Sequence, residues 1–229
     1  MASTTYDEKI RGSRSAYEHV VENMNTVSDL KKELRQATRD VLGGKDDYMS
    51  APDQCQWMEM MVKLAGCRRG IEVGVFTGYS ALCFAEALPE DGQLICCEIS
   101  DEYINVGRPF FERAGVADRI DIRIGPASET LDLLIADEAN HGAFDFAYLD
   151  ADKTGYPGYC EQLLTLLKSN GFIIMDNTLL SDKVCDPEIR AQNANAEALH
   201  RVVQNMIADE RVEVCSILFA DGITMVRKK

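Results

Sequence analysis

From Arg69 to the C-terminus, short apolar runs of strand length alternate with longer stretches of helical periodicity, and no other feature constrains the fold as tightly. Strands are expected at residues 70–73, 93–98, 120–124, 144–149 and 171–175, with helices between them at 79–88, 101–114, 129–138 and 156–169. Parallel strands need crossover connections, so this alternation implies a mainly parallel sheet with helices on both faces. A further helix is expected from Asp186 to about Asp209, followed by two closing strands at 212–219 and 222–227. Their link, Ala220-Asp221-Gly222, is short enough for an antiparallel hairpin. The expected fold is therefore a seven-stranded, Rossmann-like α/β sheet, mostly parallel, ending in that hairpin.

Ahead of the sheet, residues 1–66 read as a helical cover on a core at 67–229, the two forming one domain. Leu30, Leu34, Ala37 and Val41 recur at helical spacing after the capping residues Ser28 and Asp29, and Gly43-Gly44 ends that helix. A second helix follows Pro52, with Trp57, Met60, Met61 and Leu64 expected on its packed side. The 24 basic and 38 acidic side chains give a net charge of -14, which disfavours a nucleic-acid partner. The polar first residues hold no apolar signal core, and no apolar run reaches the roughly 18 residues of a membrane span. A cytoplasmic location without membrane association is expected. Eight cysteines without a CxxC pair, and only three histidines, read as reduced core thiols and not as a zinc site or a disulfide framework.

Ligands of such sheets bind beyond the carboxyl ends of the strands. The first strand runs into Glu72-Val73-Gly74-Val75-Phe76-Thr77-Gly78-Tyr79-Ser80. Gly74 lets backbone approach a ligand, but two glycines at this interval are not GxGxxG. Glu72 repels phosphate and suits a cationic amino-acid group. Glu98 ends the second strand, where a carboxylate can grip both ribose hydroxyls. Gly125-Pro126-Ala127 leaves room for a flat base. Together these residues suit S-adenosylmethionine better than a nicotinamide dinucleotide.

The fourth and fifth strands end in Asp150-Ala151-Asp152-Lys153 and Asp176-Asn177. Three hard oxygen donors, Asp150, Asp176 and Asn177, converge there, a set that suits Mg²⁺ (or Mn²⁺ or Ca²⁺).

These segments, with Leu88-Pro89-Glu90-Asp91-Gly92, Asp176-Asn177-Thr178 and Asp221-Gly222-Ile223-Thr224, resemble the caffeoyl-coenzyme A and catechol O-methyltransferase group of cation-dependent class I methyltransferases. The resemblance spans about Asp29 to Lys229. It implies a metal on Asp150, Asp176 and Asn177, and S-adenosylmethionine among Glu72, Gly74, Val75, Ser80, Glu98 and Ala127. Ser50, Asp150, Asp152 and Tyr159 fall at further cofactor-pocket positions, and a homodimer is the default assembly. Lys153 resembles the catalytic lysine of catechol methyltransferases. As a general base it needs desolvation or a nearby cation to favour its neutral form.

The implied acceptor is a small vicinal-dihydroxy aromatic, whether catechol, hydroxycinnamate, flavonoid or a caffeoyl-coenzyme A-like ester. Residues 178–186 are expected to line its entrance, and residues 191–196 to form a lid. Plant coenzyme A-ester enzymes of the group usually carry Trp and Gly where Leu180 and Asp182 stand, which favours the smaller acceptors. Rival readings are a nicotinamide oxidoreductase, which the glycine loop opposes, a non-catalytic S-adenosylmethionine-binding protein, and a methyltransferase of a macromolecular acceptor.

Overall fold

A computed structural model of the chain describes residues 14–24, 27–43 and 48–229; Gly44 of the expected helix stop lies outside them. Helices α1 (Arg14–Glu22), α2 (Asp29–Val41) and α3 (Pro52–Leu64) precede the sheet. Strands β1 (Arg69–Val73), β2 (Gln93–Glu98), β3 (Ile120–Ile124), β4 (Phe144–Leu149) and β5 (Leu167–Met175) then alternate with α4 (Tyr79–Ala87), α5 (Asp101–Arg113), α6 (Ala127–Ala136) and α7 (Tyr156–Leu166). Helices α8 (Pro187–Ala191) and α9 (Ala194–Ala208) lead to β6 (Val212–Ile217) and β7 (Ile223–Lys228).

The sheet order is β3-β2-β1-β4-β5-β7-β6, parallel through β5 and antiparallel at β7 and β6. Sequence order reverses between β1 and β4, so their carboxyl ends flank the switch-point crevice. Every residue of β4 is buried, as expected of a central strand covered on both faces. On one face Leu34, Met58, Val62 and Phe84 pack over Phe146 and Ile174. On the other, Leu131, Leu163 and Leu199 pack over Ile71, Leu149 and Ile173. Gly70 of β1 is needed at close quarters, because a Cβ there meets the Phe146 ring at 2.3 Å.

Four expectations are corrected. Strand β5 begins at Leu167, where a helix was expected to run to residue 169; a register shift between Phe144 and Phe146 takes up the extra residues. The helix expected from Asp186 to about Asp209 is two, because the Asn193 side chain accepts from the Ala196 amide and caps a new start. Cys185 and Cys215 are exposed, whereas the other six cysteines are buried as expected; all eight are free thiols.

The fourth correction concerns the cover. Helix α2 buries Lys31, Leu34, Arg35 and Thr38, leaving Val41 exposed, and α3 buries Gln54, Cys55, Met58, Glu59 and Val62, leaving Met60 and Leu64 exposed. An apolar-stripe argument misses these faces because polar pairs make the contact. Lys31 pairs with Glu59 and, at 2.9 Å, with Glu86. Arg35 donates to the Ser50 carbonyl at 2.7 Å and lies over the Tyr79 ring. The Thr38 hydroxyl lies 2.8 Å from that of Thr77 in the glycine loop. Buried polar groups are tolerated only when paired, and each pairing here fixes the angle at which the cover docks.

Among the described residues, no helix is long and apolar enough to cross a membrane.

Candidate active site

The switch-point crevice opens into a cavity of about 1200 Å³. The chain passes from β1 into α4 through Gly74, φ +88, and Gly78, φ +86, a left-handed geometry that glycine adopts at least cost. Gly74 donates its amide to the Cys97 carbonyl at 3.0 Å. Its Cα lies so near β4 that an added Cβ would stand 2.0 Å from the Asp150 carbonyl oxygen. Glu98 Oε2 accepts the Val75 and Phe76 amides at 2.9 and 2.7 Å, tying the end of β2 to the loop. Phe76 packs against Tyr103 with ring centroids 4.9 Å apart.

Gly74, Val75, Ser80, Glu98 and Ala127 line this side of the cavity, and Ser50 joins them from the cover. Glu72 does not. It is wholly buried beneath the floor and accepts a hydrogen bond from the Ser80 hydroxyl at 2.5 Å. Burial pushes its carboxyl up to about 8, partly opposed by that hydrogen bond. Glu72, expected to face the cationic amino-acid group of the donor, thus lies directly behind Ser80, which does line the cavity.

On the β4–β5 side, Asp150, Asp152, Lys153, Tyr159, Asp176 and Asn177 line the same cavity. Lys153 Nζ lies 2.8 Å from Asp150 Oδ1 and donates to the Tyr156 hydroxyl at 2.9 Å. That hydroxyl donates in turn to the Leu149 carbonyl at 2.9 Å, fastening the lysine to the strand end. Tyr159 donates to Asp152 at 2.7 Å. Asp176 is buried, and burial together with the charge of Asp150 holds its carboxyl above the usual carboxylate range. Asn177, φ 54, donates its side-chain amide to Asp221 at 3.4 Å. No cluster of three or more His, Cys, Asp or Glu side chains that could hold a metal ion occurs among the described residues.

A more open groove of about 770 Å³, formed between Ser181 and Ile189, contains none of these residues. Within the segment expected to line the acceptor entrance, only Leu180 reaches the large cavity; Asn195 and Asp221 reach it from outside that segment. The lid expected at 191–196 is the junction of α8 and α9, and only its Asn195 faces the cavity.

The family described as O-methyltransferase matches residues 18–229, nearly the whole chain. The chain belongs to this O-methyltransferase family. Tricin synthase 1 of Oryza sativa subsp. japonica is 45% identical over 186 residues, covering 78% of the methyltransferase described here and 74% of the rice protein. Caffeoyl-CoA O-methyltransferase 1 of Zea mays is 43% identical over 186 residues, covering 78% and 71% of the two chains. Among solved structures, the O-methyltransferase TomG from Streptomyces achromogenes, in complex with SAM, superposes with a TM-score of 0.86 at 24% identity, covering 98% and 99% of the two chains. That likeness bears out the seven-stranded class I architecture of the methyltransferase.

Sequence reasoning missed Gln54, Tyr148 and Tyr156, which hold Asp176 and Lys153 in place. The period-two rule offered one signal: Tyr148 of β4 stands two residues before Asp150, which follows the strand end. Gln54 offered none, since its partner is 122 residues away in the chain.

Proposed function

We propose that this methyltransferase uses S-adenosylmethionine and a divalent cation to methylate a vicinal-dihydroxy aromatic. One observation carries the reading: a single cavity holds the glycine loop and Glu98 on its β1–β2 side and Asp150, Asp176, Asn177 and Lys153 on its β4–β5 side. The residues fit a cation. The two carboxylates lie close enough for the charge of Asp150 to raise the pKa of Asp176, and one lysine offsets them. Asn177 engages its amide nitrogen with Asp221, leaving its carbonyl oxygen as a donor. An all-oxygen set of this kind suits Mg²⁺, with Mn²⁺ or Ca²⁺ as substitutes.

Bound there, the cation would supply Lewis-acid chemistry that lowers the pKa of a chelated phenol from its ordinary value near ~10. The protein's own side chains do the rest. Lys153, once freed from Asp150 and having lost its own proton to solvent, takes the proton of the reacting hydroxyl as a neutral amine, while Tyr156 keeps Nζ at the strand end. Glu98 grips the ribose of the donor while fixing the glycine loop through the Val75 and Phe76 amides, the loop faces the amino-acid portion, and Ala127 leaves space for the base. Holding acceptor oxygen and sulfonium methyl in line is worth roughly 7–11 kcal/mol. Replacing Lys153 by Ala is expected to cut turnover by about 100-fold or more, while S-adenosylhomocysteine affinity stays within a few-fold, as titration calorimetry reads it.

Asp150, Asp152, Asp176, Glu98 and Asp221 line the cavity with Lys153 as the one basic side chain in its lining among the described residues. That balance disfavours a phosphate-rich acceptor. Free catechols, hydroxycinnamates and flavonoids are therefore placed ahead of coenzyme A esters, although the maize relative is named for caffeoyl-CoA. A homodimer in the cytoplasm completes the proposal, and light scattering tests the dimer.

The deciding experiment is methyl transfer from labelled S-adenosylmethionine to caffeate, a simple catechol, a flavonoid and caffeoyl-CoA, each with Mg²⁺ or EDTA. Product with Mg²⁺ that vanishes with EDTA is expected, with the free diols ranked first. Product indifferent to EDTA would remove the metal from the reading.

A further inference from the structure

Two side chains outside the strand-end motif grip the Asp176 carboxylate. Gln54 Nε2, on α3, donates to Oδ2 at 2.6 Å, and the Tyr148 hydroxyl, on β4, donates to the same oxygen at 2.6 Å. The other oxygen, Oδ1, accepts the Asn177 backbone amide at 2.7 Å. Tyr148 is fully buried, and its ring meets Phe84 edge-on with centroids 5.5 Å apart, which fixes where its hydroxyl oxygen lies. Because that hydroxyl donates to Asp176, Ser50 Oγ, 3.0 Å away, is left to donate to it.

We propose that Tyr148 and Gln54 are positioning residues for Asp176. They fix the plane of its carboxylate, and so set cation affinity from outside the ligand set. The inference rests on the reading of Asp176 as a metal ligand. A carboxylate otherwise turns broadly about its terminal torsion, and freezing that torsion before binding removes part of the ordering cost. Side chains behind a ligand commonly act this way, and losing one weakens metal binding by about 10–100-fold.

Gln54 gives the arrangement a second consequence. It belongs to the N-terminal cover, and Ser50 of the same segment is held by Arg35. The carboxylate that takes the cation therefore also fastens the cover to the sheet. By reciprocity, whatever orders Asp176 also favours docking of α3. Trp57, the chain's single tryptophan, lies on α3 against Phe219 and reports that docking.

The test compares the full-length protein with Tyr148→Phe and Gln54→Met, each loaded with S-adenosylhomocysteine and titrated with Mn²⁺ by calorimetry. Both substitutions keep the buried volume close to native, and thermal melts check that the variants are folded. Each variant is expected to bind Mn²⁺ about 10–100-fold more weakly. The double variant should fall short of the product of the two losses, since both act on one oxygen. In turnover the KM for metal should rise by the same factor, with kcat at saturating metal far less affected. The change in Trp57 fluorescence on metal addition should shrink in Gln54→Met. Native metal affinity in both variants, with only a lowered melting temperature, would overturn the inference and leave Tyr148 and Gln54 as packing. Failure of the unaltered protein to bind Mn²⁺, with EDTA-insensitive turnover, would overturn the metal reading itself and this inference with it. The unaltered protein thus separates the two failures.

Discussion

Asp150→Ala is expected to lower kcat/KM by roughly a thousandfold or more while leaving the fold intact. Lewis-acid stabilisation is worth several kcal/mol, and each ~1.4 kcal/mol is a factor of ten in rate. The substitution removes one of three proposed cation donors and also the partner of Lys153. Stability should move the opposite way. Burial and the charge of Asp150 raise the pKa of Asp176 in the folded protein, so the folded state holds its proton more tightly than the unfolded chain does. The stability linked to that proton is complete below the ordinary carboxylate value and is lost as pH rises through the raised one. Metal-free protein should therefore lose stability as pH rises from the ordinary carboxylate range towards neutrality. Asp150→Ala should flatten that part of the profile and raise the metal-free melting temperature at neutral pH. Melting curves across pH, with and without Mg²⁺, test this, and an unchanged profile would show that the two carboxylates do not interact.

Gly74→Ala is expected to be the most damaging small substitution in the chain. The new methyl group would stand 2.0 Å from the Asp150 carbonyl oxygen and 2.6 Å from its carbon, at a backbone φ of +88. Neither neighbour is a flexible side-chain tip. Asp150 donates its amide to the Val73 carbonyl at 2.9 Å, so relieving the clash means parting β1 from β4 where the glycine loop and the proposed cation donors meet. We expect a loss exceeding about 4 kcal/mol, in the range reserved for steric and backbone damage at special positions. Gly115→Ala supplies the control. Its φ is +68, but nothing lies within 4 Å of an added Cβ, so only the left-handed backbone cost of about 1–2 kcal/mol applies. Urea unfolding of both variants, with S-adenosylhomocysteine titration of whatever folds, reads the difference. Equal losses would mean that the approach of Gly74 to Asp150 is not what requires glycine there.

Much of this protein was legible because its chemistry sits where local sequence speaks. A strand ends where its apolar run ends, and the residues that follow are carried to the carboxyl edge of a parallel sheet. For that reason Gly74, Glu98, Asp150 and Asp176 were placed on one crevice before any contact was known, and the cavity lining includes all four. The strand and helix alternation fixed the class of sheet for the same reason, since period and length are properties of a few neighbouring residues.

Tertiary structure alone decided the rest. The cover helices turn Lys31, Arg35, Gln54 and Glu59 inward because partners on other elements neutralise or bond them, and hydrophobic periodicity carries no trace of such pairing. Glu72 is buried behind Ser80, whose hydroxyl donates to it, a placement that its strand-end position does not reveal. Strand β5 began early because a register shift with β4 stabilises residues that read locally as helix. The clamp of Tyr148 and Gln54 on Asp176 joins residues 28 and 122 positions from that aspartate. Local sequence determined which chemical groups reach the crevice; long-range pairing, fixed only when the chain folds, determined how each group is held.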